Sequence, residues 1–151
     1  MQTKGAVKFF SVMIKFSEIA FVLVIVIYAV LSVLDRIYPE KFYRCDKYTK
    51  LLNGGEKMYE GRRLNVVLCG TGPDKNRMND KIRLQIFSEN HSLLAQRKFF
   101  VDWDTNADRE LVYSPDRVTY FDSSQENDYV HSVRMPPTWW DWVKARLPLF
   151  S

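Results

Sequence analysis

Residues 80–101 read DKIRLQIFSENHSLLAQRKFFV, and this stretch decides the fold. Ile82, Leu84 and Ile86 alternate with Arg83 and Gln85, the period of two that turns one face of a strand inward. Ser88-Glu89-Asn90-His91 supplies turn chemistry and Leu93–Val101 returns, so the segment predicts a β-hairpin. Upstream, Leu64, Val66 and Leu68 alternate with Asn65, Val67 and Cys69 and predict a further strand. Gly70-Thr71-Gly72-Pro73 ends it, and the polar stretch Asp74–Asp80 predicts a loop. Downstream, Glu110–Tyr113 and Val118–Phe121 flank Ser114-Pro115-Asp116-Arg117, where proline pre-sets a turn. A short strand is expected over Tyr129–Met135, stopped by Pro136-Pro137. Thr138 and Asp141 then have the spacing of a capping box. Trp139, Trp142, Val143 and Leu147 recur at helical spacing until Pro148. The expected domain, residues 61–151, is mainly β: an antiparallel sandwich or curved sheet of about six strands with a short C-terminal helix.

The amino-terminal third has another character. From Ile19 to Leu34 the sequence is IAFVLVIVIYAVLSVL, without a charge and without a polar stripe. A buried helix of a soluble protein keeps such a stripe. With Phe16 and Ser17 the run approaches the roughly 20 residues that cross a hydrocarbon core, so one transmembrane helix is expected over about 16–34. A cleaved signal peptide is the competitor, given Lys4 and Lys8 ahead of the apolar run. The run is longer than the usual apolar core of such peptides, and no small-x-small site follows it before Asp35. An uncleaved signal anchor is therefore expected, with residues 1–34 as tail and span and residues 35–60 as a basic, turn-rich juxtamembrane connector broken at Asn53-Gly54-Gly55.

Positive charges do not orient the span. Lys4, Lys8 and Lys15 precede it, whereas Arg36, Lys41, Arg44, Lys47 and Lys50 follow. A short tail before a long domain is the ordinary layout with the amino terminus inside, and long domains translocate largely regardless of charge. The only two cysteines, Cys45 and Cys69, lie in the soluble part. They are expected to form a disulfide in an oxidising compartment, the alternative being two unrelated thiols. The domain is thus expected outside the cytoplasm, in the periplasm or its equivalent, on a single-pass protein of the inner (plasma) membrane.

The chain holds 151 residues with a net charge of +4, and its 46% hydrophobic content is ample for a folded core, which excludes disorder. Catalytic constellations are missing: His91 falls in a predicted turn, His131 in a predicted edge strand, and no phosphate loop, metal spacing or serine elbow occurs. No enzyme activity, cofactor or metal is expected. Asp104-Thr105-Asn106-Ala107-Asp108 opens like a calcium loop, but Arg109 stands where glycine is needed and Pro115 where the bidentate glutamate is needed. Asn90-His91-Ser92 fits a glycosylation sequon, a triplet that also arises by chance.

Charge is distributed unevenly. Asp102, Asp104, Asp108, Glu110, Asp116, Asp122, Glu126 and Asp128 crowd residues 102–128 against Arg109 and Arg117, while the connector and first strands are basic. Interleaved with Trp103, Tyr113, Tyr120 and Tyr129, these acids form a candidate face for a basic protein, because charge steers encounter and aromatics anchor it. The partner-binding candidates are Asp102, Trp103, Asp104, Asp108, Asp122, Glu126, Asp128 and Tyr129. The plainer alternative makes the aromatics core and the acids a solvated rim. Nucleic acid is disfavoured on charge. The Trp139-Trp140-Asp141-Trp142 cluster, with Lys144 and Arg146, either packs its helix on the sheet or lies at a membrane interface.

This layout, with Val101-Asp102-Trp103-Asp104, Asp116-Arg117-Val118-Thr119-Tyr120-Phe121-Asp122 and Met135-Pro136-Pro137-Thr138, resembles small single-span inner-membrane proteins of Gram-negative bacteria. Among these are immunity proteins encoded beside secreted antibacterial toxins of type VI or contact-dependent systems. The resemblance implies a non-catalytic, membrane-anchored module that binds and neutralises a toxin in the periplasm, with a basic toxin or envelope protein as partner. It carries over no functional residue. The alternative is a structural or accessory subunit of a cell-envelope complex.

Overall fold

The alternation in residues 79–102 is expressed as two ten-residue strands that pair antiparallel, Asn79–Ser88 and Leu93–Asp102. The computed structural model describes residues 3–72, 79–104, 108–125 and 127–147, without the side chains of residues 3–17 and 35–36. It contains two compact units, residues 1–39 and 40–151.

The first unit is one helix, α1 (Thr3–Ile37). Its described side chains are those of Glu18 to Leu34 and of Ile37, and Ile19, Phe21, Val22, Leu23, Val24, Ile25, Val26, Ile27, Val30, Val33, Leu34 and Ile37 are all exposed. Among the described residues no helix is long and apolar enough to cross a membrane. The side chains of Phe16 and Ser17, which the expected span includes, lie outside the described ones.

The second unit is mainly β. After α2 (Cys45–Leu51), strands β1 (Gly55–Tyr59), β2 (Arg62–Gly70), β3 (Asn79–Ser88) and β4 (Leu93–Asp102) form an antiparallel sheet in that order. Strands β5 (Val112–Ser114), β6 (Arg117–Phe121) and β7 (Val130–Arg134) form a second antiparallel sheet, also in sequence order, and α3 (Trp139–Lys144) follows. Among the described residues, seven strands in two sheets thus replace the expected six or so. The additional one is β1, inside the segment expected to be a connector. Its sequence GEKMY lacks an apolar alternation, so only pairing with β2, from Gly55↔Val66 to Tyr59↔Arg62, defines it as a strand. Asn53-Gly54-Gly55, expected as a break, leads directly into β1, with Asn53 and Gly55 at positive φ. The expected strand from Glu110 is shorter, beginning at Val112.

Both sheets feed one hydrophobic core. Leu64, Val66 and Leu68 of β2, Ile82, Leu84 and Ile86 of β3, and Phe99 and Val101 of β4 meet Val118 and Tyr120 of β6 and Val133 of β7. Phe99 and Tyr120 join the sheets, ring to ring at 4.9 Å. Tyr48 and Leu52 bring the α2 segment into the same core.

The chain enters the domain through β2. Tyr43 and Gly70 exchange backbone hydrogen bonds of 2.8 and 3.2 Å. Two residues later Cys45 is disulfide-bonded to Cys69, with an S–S distance of 2.07 Å. The bridge expected from the sequence is therefore present, and it ties α2 to β2. Tyr48 lies over Gly70, and its hydroxyl donates to the buried Asp80 carboxylate. Burial, and then that carboxylate, push the Tyr48 phenol up to about 12.

Candidate functional site

The proposed acidic face resolves into residues with different duties. Asp102 ends β4 opposite Asn79, and its Oδ1 accepts the Asp104 N–H at 2.9 Å, a local turn contact. Asp104, Asp108 and Asp128 are exposed, and Tyr129 is 51% exposed with its ring stacked 6.2 Å from that of Phe121. Glu126 lies outside the described residues, as do Thr105, Asn106 and Ala107 of the calcium-like stretch. Among the described residues no group of three or more His, Cys, Asp or Glu side chains is placed to share a metal ion.

Two candidates, Asp122 and Trp103, are less exposed than Asp104, Asp108, Asp128 and Tyr129. Asp122 is only 7% exposed. Its Oδ1 accepts from the Phe100 N–H at 3.1 Å, the Ser124 N–H at 3.0 Å and the Ser124 hydroxyl at 2.7 Å. With Ser123 N–H donating to the Phe100 carbonyl at 2.9 Å, the loop after β6 closes the outer edge of β4. These bonds give the Asp122 carboxylate a structural role in the loop. Trp103 is half-buried against the core, 6.3 Å from the Tyr48 ring, with the Arg109 guanidinium 5.7 Å from its own. Part of its surface is thus committed to the core. Tyr120 is core, and the Tyr113 hydroxyl donates to the Asn53 carbonyl at 2.9 Å. Burial, and next the neighbouring Tyr59, push the Tyr113 phenol up. The exposed members of the face are Asp104, Asp108 and Asp128 together with Tyr129, which stacks on Phe121 just before β7 at the edge of its sheet.

The C-terminal helix packs against β4, as one of the two readings had it, but not by its tryptophans. Its buried positions are Asp141 and Ala145, while Trp139, Trp140 and Trp142 are 65%, 64% and 40% exposed. The capping box is formed: the Thr138 hydroxyl accepts from the Asp141 N–H, and the Asp141 carboxylate accepts from the Thr138 N–H. That carboxylate also pairs with the half-buried guanidinium of Arg97 on β4. Burial raises the Asp141 pKa, but the Thr138 and Arg97 donors outweigh it and hold the carboxyl below its ordinary value. Turning Asp141 inward rotates the tryptophans outward. Two i, i+3/i+4 faces are possible for this sequence, Trp139/Trp142/Val143 and Asp141/Ala145, and only the long-range partner Arg97 selects between them.

Beside the tryptophans an open groove of about 280 Å³ is lined by Leu94, Pro137, Thr138, Trp139 and Trp142. Trp139 and Trp140 meet edge to face at 4.9 Å, and the Arg146 guanidinium covers the Trp142 ring at 3.9 Å. A second, polar hollow of about 340 Å³ lies among Asp116, Arg117, Ser132, Arg134 and Asp141. Arg117 and Arg134 are directly cross-strand there, and Asp116 is paired to Arg117 at 2.8 Å. His91 sits in the β3–β4 turn at positive φ, and His131 lies in the edge strand β7, 5.5 Å from the Tyr120 ring. Comparison with known protein families, with curated proteins and with solved structures finds no match to this chain.

Proposed function

We propose that the chain is a membrane-anchored, non-catalytic protein-binding module whose disulfide-closed domain lies outside the cytoplasm, of the immunity type that neutralises a secreted antibacterial toxin. The observation that carries this reading is α1. None of its described side chains is buried: the apolar ones from Ile19 to Leu34 are exposed except the half-buried Tyr28 and Leu31, so the buried stripe of a soluble amphipathic helix is missing among them. A bilayer is the solvent that accepts such a surface. The Cys45–Cys69 bridge supports an oxidising compartment for the domain. Partner binding is assigned to exposed Tyr129, supported by Phe121, with Asp104, Asp108 and Asp128 as the exposed acids that steer a basic partner. The immunity role is supported by the resemblance in layout and motifs.

A fusion of alkaline phosphatase to the carboxyl terminus tests the topology: it is expected to be active, and a green fluorescent protein fusion dark. The reverse pattern overturns the extracytoplasmic assignment. Affinity capture of the detergent-solubilised chain tests the rest. Retention of one basic protein supports the immunity reading, and recovery of a stable membrane complex supports an accessory subunit instead.

A further inference from the structure

We infer that the tryptophan face of α3 is a lipid-binding surface: Trp139, Trp140 and Trp142 enter the headgroup region of a bilayer carrying anionic lipid, and Lys144 and Arg146 engage its phosphates. The inference rests on the proposed membrane anchorage and adds a second, peripheral membrane contact to it.

Three exposed tryptophans on a six-residue helix are costly in water, since each leaves a large apolar ring hydrated. The indole is amphipathic, an apolar body with one N–H donor, and favours the boundary between headgroups and acyl chains. The charges on this helix and its following turn agree with that environment. Lys144 and Arg146 are exposed and cationic, whereas the only acid, Asp141, is buried and paired with Arg97. No exposed carboxylate on the helix opposes an anionic surface, and amphipathic helices that lie in the interface combine aromatic anchors with basic residues in this way. The groove formed with Leu94 and Pro137 continues the apolar surface beside Trp139 and Trp142. Chain connectivity supplies the encounter. Only Tyr38 and Pro39 separate the end of α1 at Ile37 from the folded unit beginning at Glu40. A membrane-embedded α1 therefore makes the meeting of domain and lipid effectively intramolecular, and a weak interfacial affinity suffices.

All four tryptophans of the chain, Trp103, Trp139, Trp140 and Trp142, lie in the domain and none in α1. Tryptophan fluorescence of the full chain in lipid nanodiscs, excited selectively over tyrosine, therefore reports the domain alone. Discs are made from phosphatidylcholine and phosphatidylglycerol, with the acyl chains either plain or brominated close to the headgroup. With three of four indoles in the interface, bromination should cut emission to about half or less. A Trp139→Gln/Trp140→Gln double variant, with an intact disulfide and unchanged far-ultraviolet dichroism, should lose most of that quenching. Removing the anionic lipid should weaken it. Resistance of the chain to alkaline carbonate extraction from native membranes reads the anchorage separately. A chain that is retained but not quenched overturns this inference and leaves the anchorage standing; a chain that is washed out overturns both. Emission that is blue-shifted with protein concentration but indifferent to bromine assigns the face to a second copy, and equally overturns the lipid assignment.

Discussion

Gly70 lies so close to the Tyr48 ring that a Cβ built on it would stand 2.4 Å from Cζ. No real Cβ tolerates that approach, so Gly70→Ala must displace the ring whose hydroxyl bonds to the buried Asp80. Overpacking of this kind typically costs about 1–3 kcal/mol, and thermal unfolding of the variant should show the loss. Asp141 offers a second test. Asp141→Asn keeps an oxygen for the Thr138 cap but leaves Arg97 without its counter-charge, at a cost of about 1–3 kcal/mol. Asp141→Ala removes the cap as well, at about 1 kcal/mol more. The native pKa of Asp141 is depressed, so its contribution is fully present above the ordinary carboxylate value of 3.8 and is lost as pH falls from there through the lower native value. Denaturant titrations of wild type and Asp141→Asn should therefore converge in acid; a gap that persists undiminished there would count against the ion pair. In the sequence Asp141 was legible as half of the capping box but not as an ion-pair partner, and Asp122 was not distinguishable from the exposed acids around it. Their partners, Arg97 and the Phe100 N–H, are 44 and 22 residues away, and only tertiary structure brings them in.

At the scale of elements, what alternates was legible. β2, β3, β4 and β6 each carry apolar residues two apart that reach the core, and Pro and Gly mark the ends near where the strands stop. β1 escaped because its pairing with β2 replaces the missing pattern, and α2 because seven residues, CDKYTKL, are too few for a helical period to register. The cysteine pair was visible in the sequence, but the elements it joins were not. Because it ties α2 to β2, Cys69→Ser should cost about 3–4 kcal/mol by the chain-entropy estimate for its loop, and α2 should be the first element to lose amide protection. Hydrogen exchange and non-reducing electrophoresis with thiol labelling check the two parts. Two free thiols in freshly isolated membranes would remove the bridge from the account.

Over the whole molecule, the uneven charge seen in the sequence survives in reduced form, because folding withdraws Asp122 from the surface. Replacing Asp104, Asp108 and Asp128 together by Asn should slow association with the captured partner and flatten its salt dependence, since exposed charges act over about 8–10 Å at physiological ionic strength. Tyr129→Ala should mainly speed dissociation, while Asp122→Ala should lower stability instead. An association rate that the triple variant leaves unchanged at every salt concentration would make the acids a solvated rim. The entry of the chain through Tyr43 and the Cys45–Cys69 bridge has a mechanical consequence. Tension arriving along the tether from α1 passes through the covalent link straight into β2, so α2 and β1 sit off the load path and stay slack. Reduction puts them back in series: the separation of 24 residues between the cysteines then adds about 80 Å of extensible chain at ~3.4 Å per residue. A force–extension trace of the domain should lengthen by that amount under reductant, which makes the bridge a strain relief for the part of the domain nearest its tether in sequence.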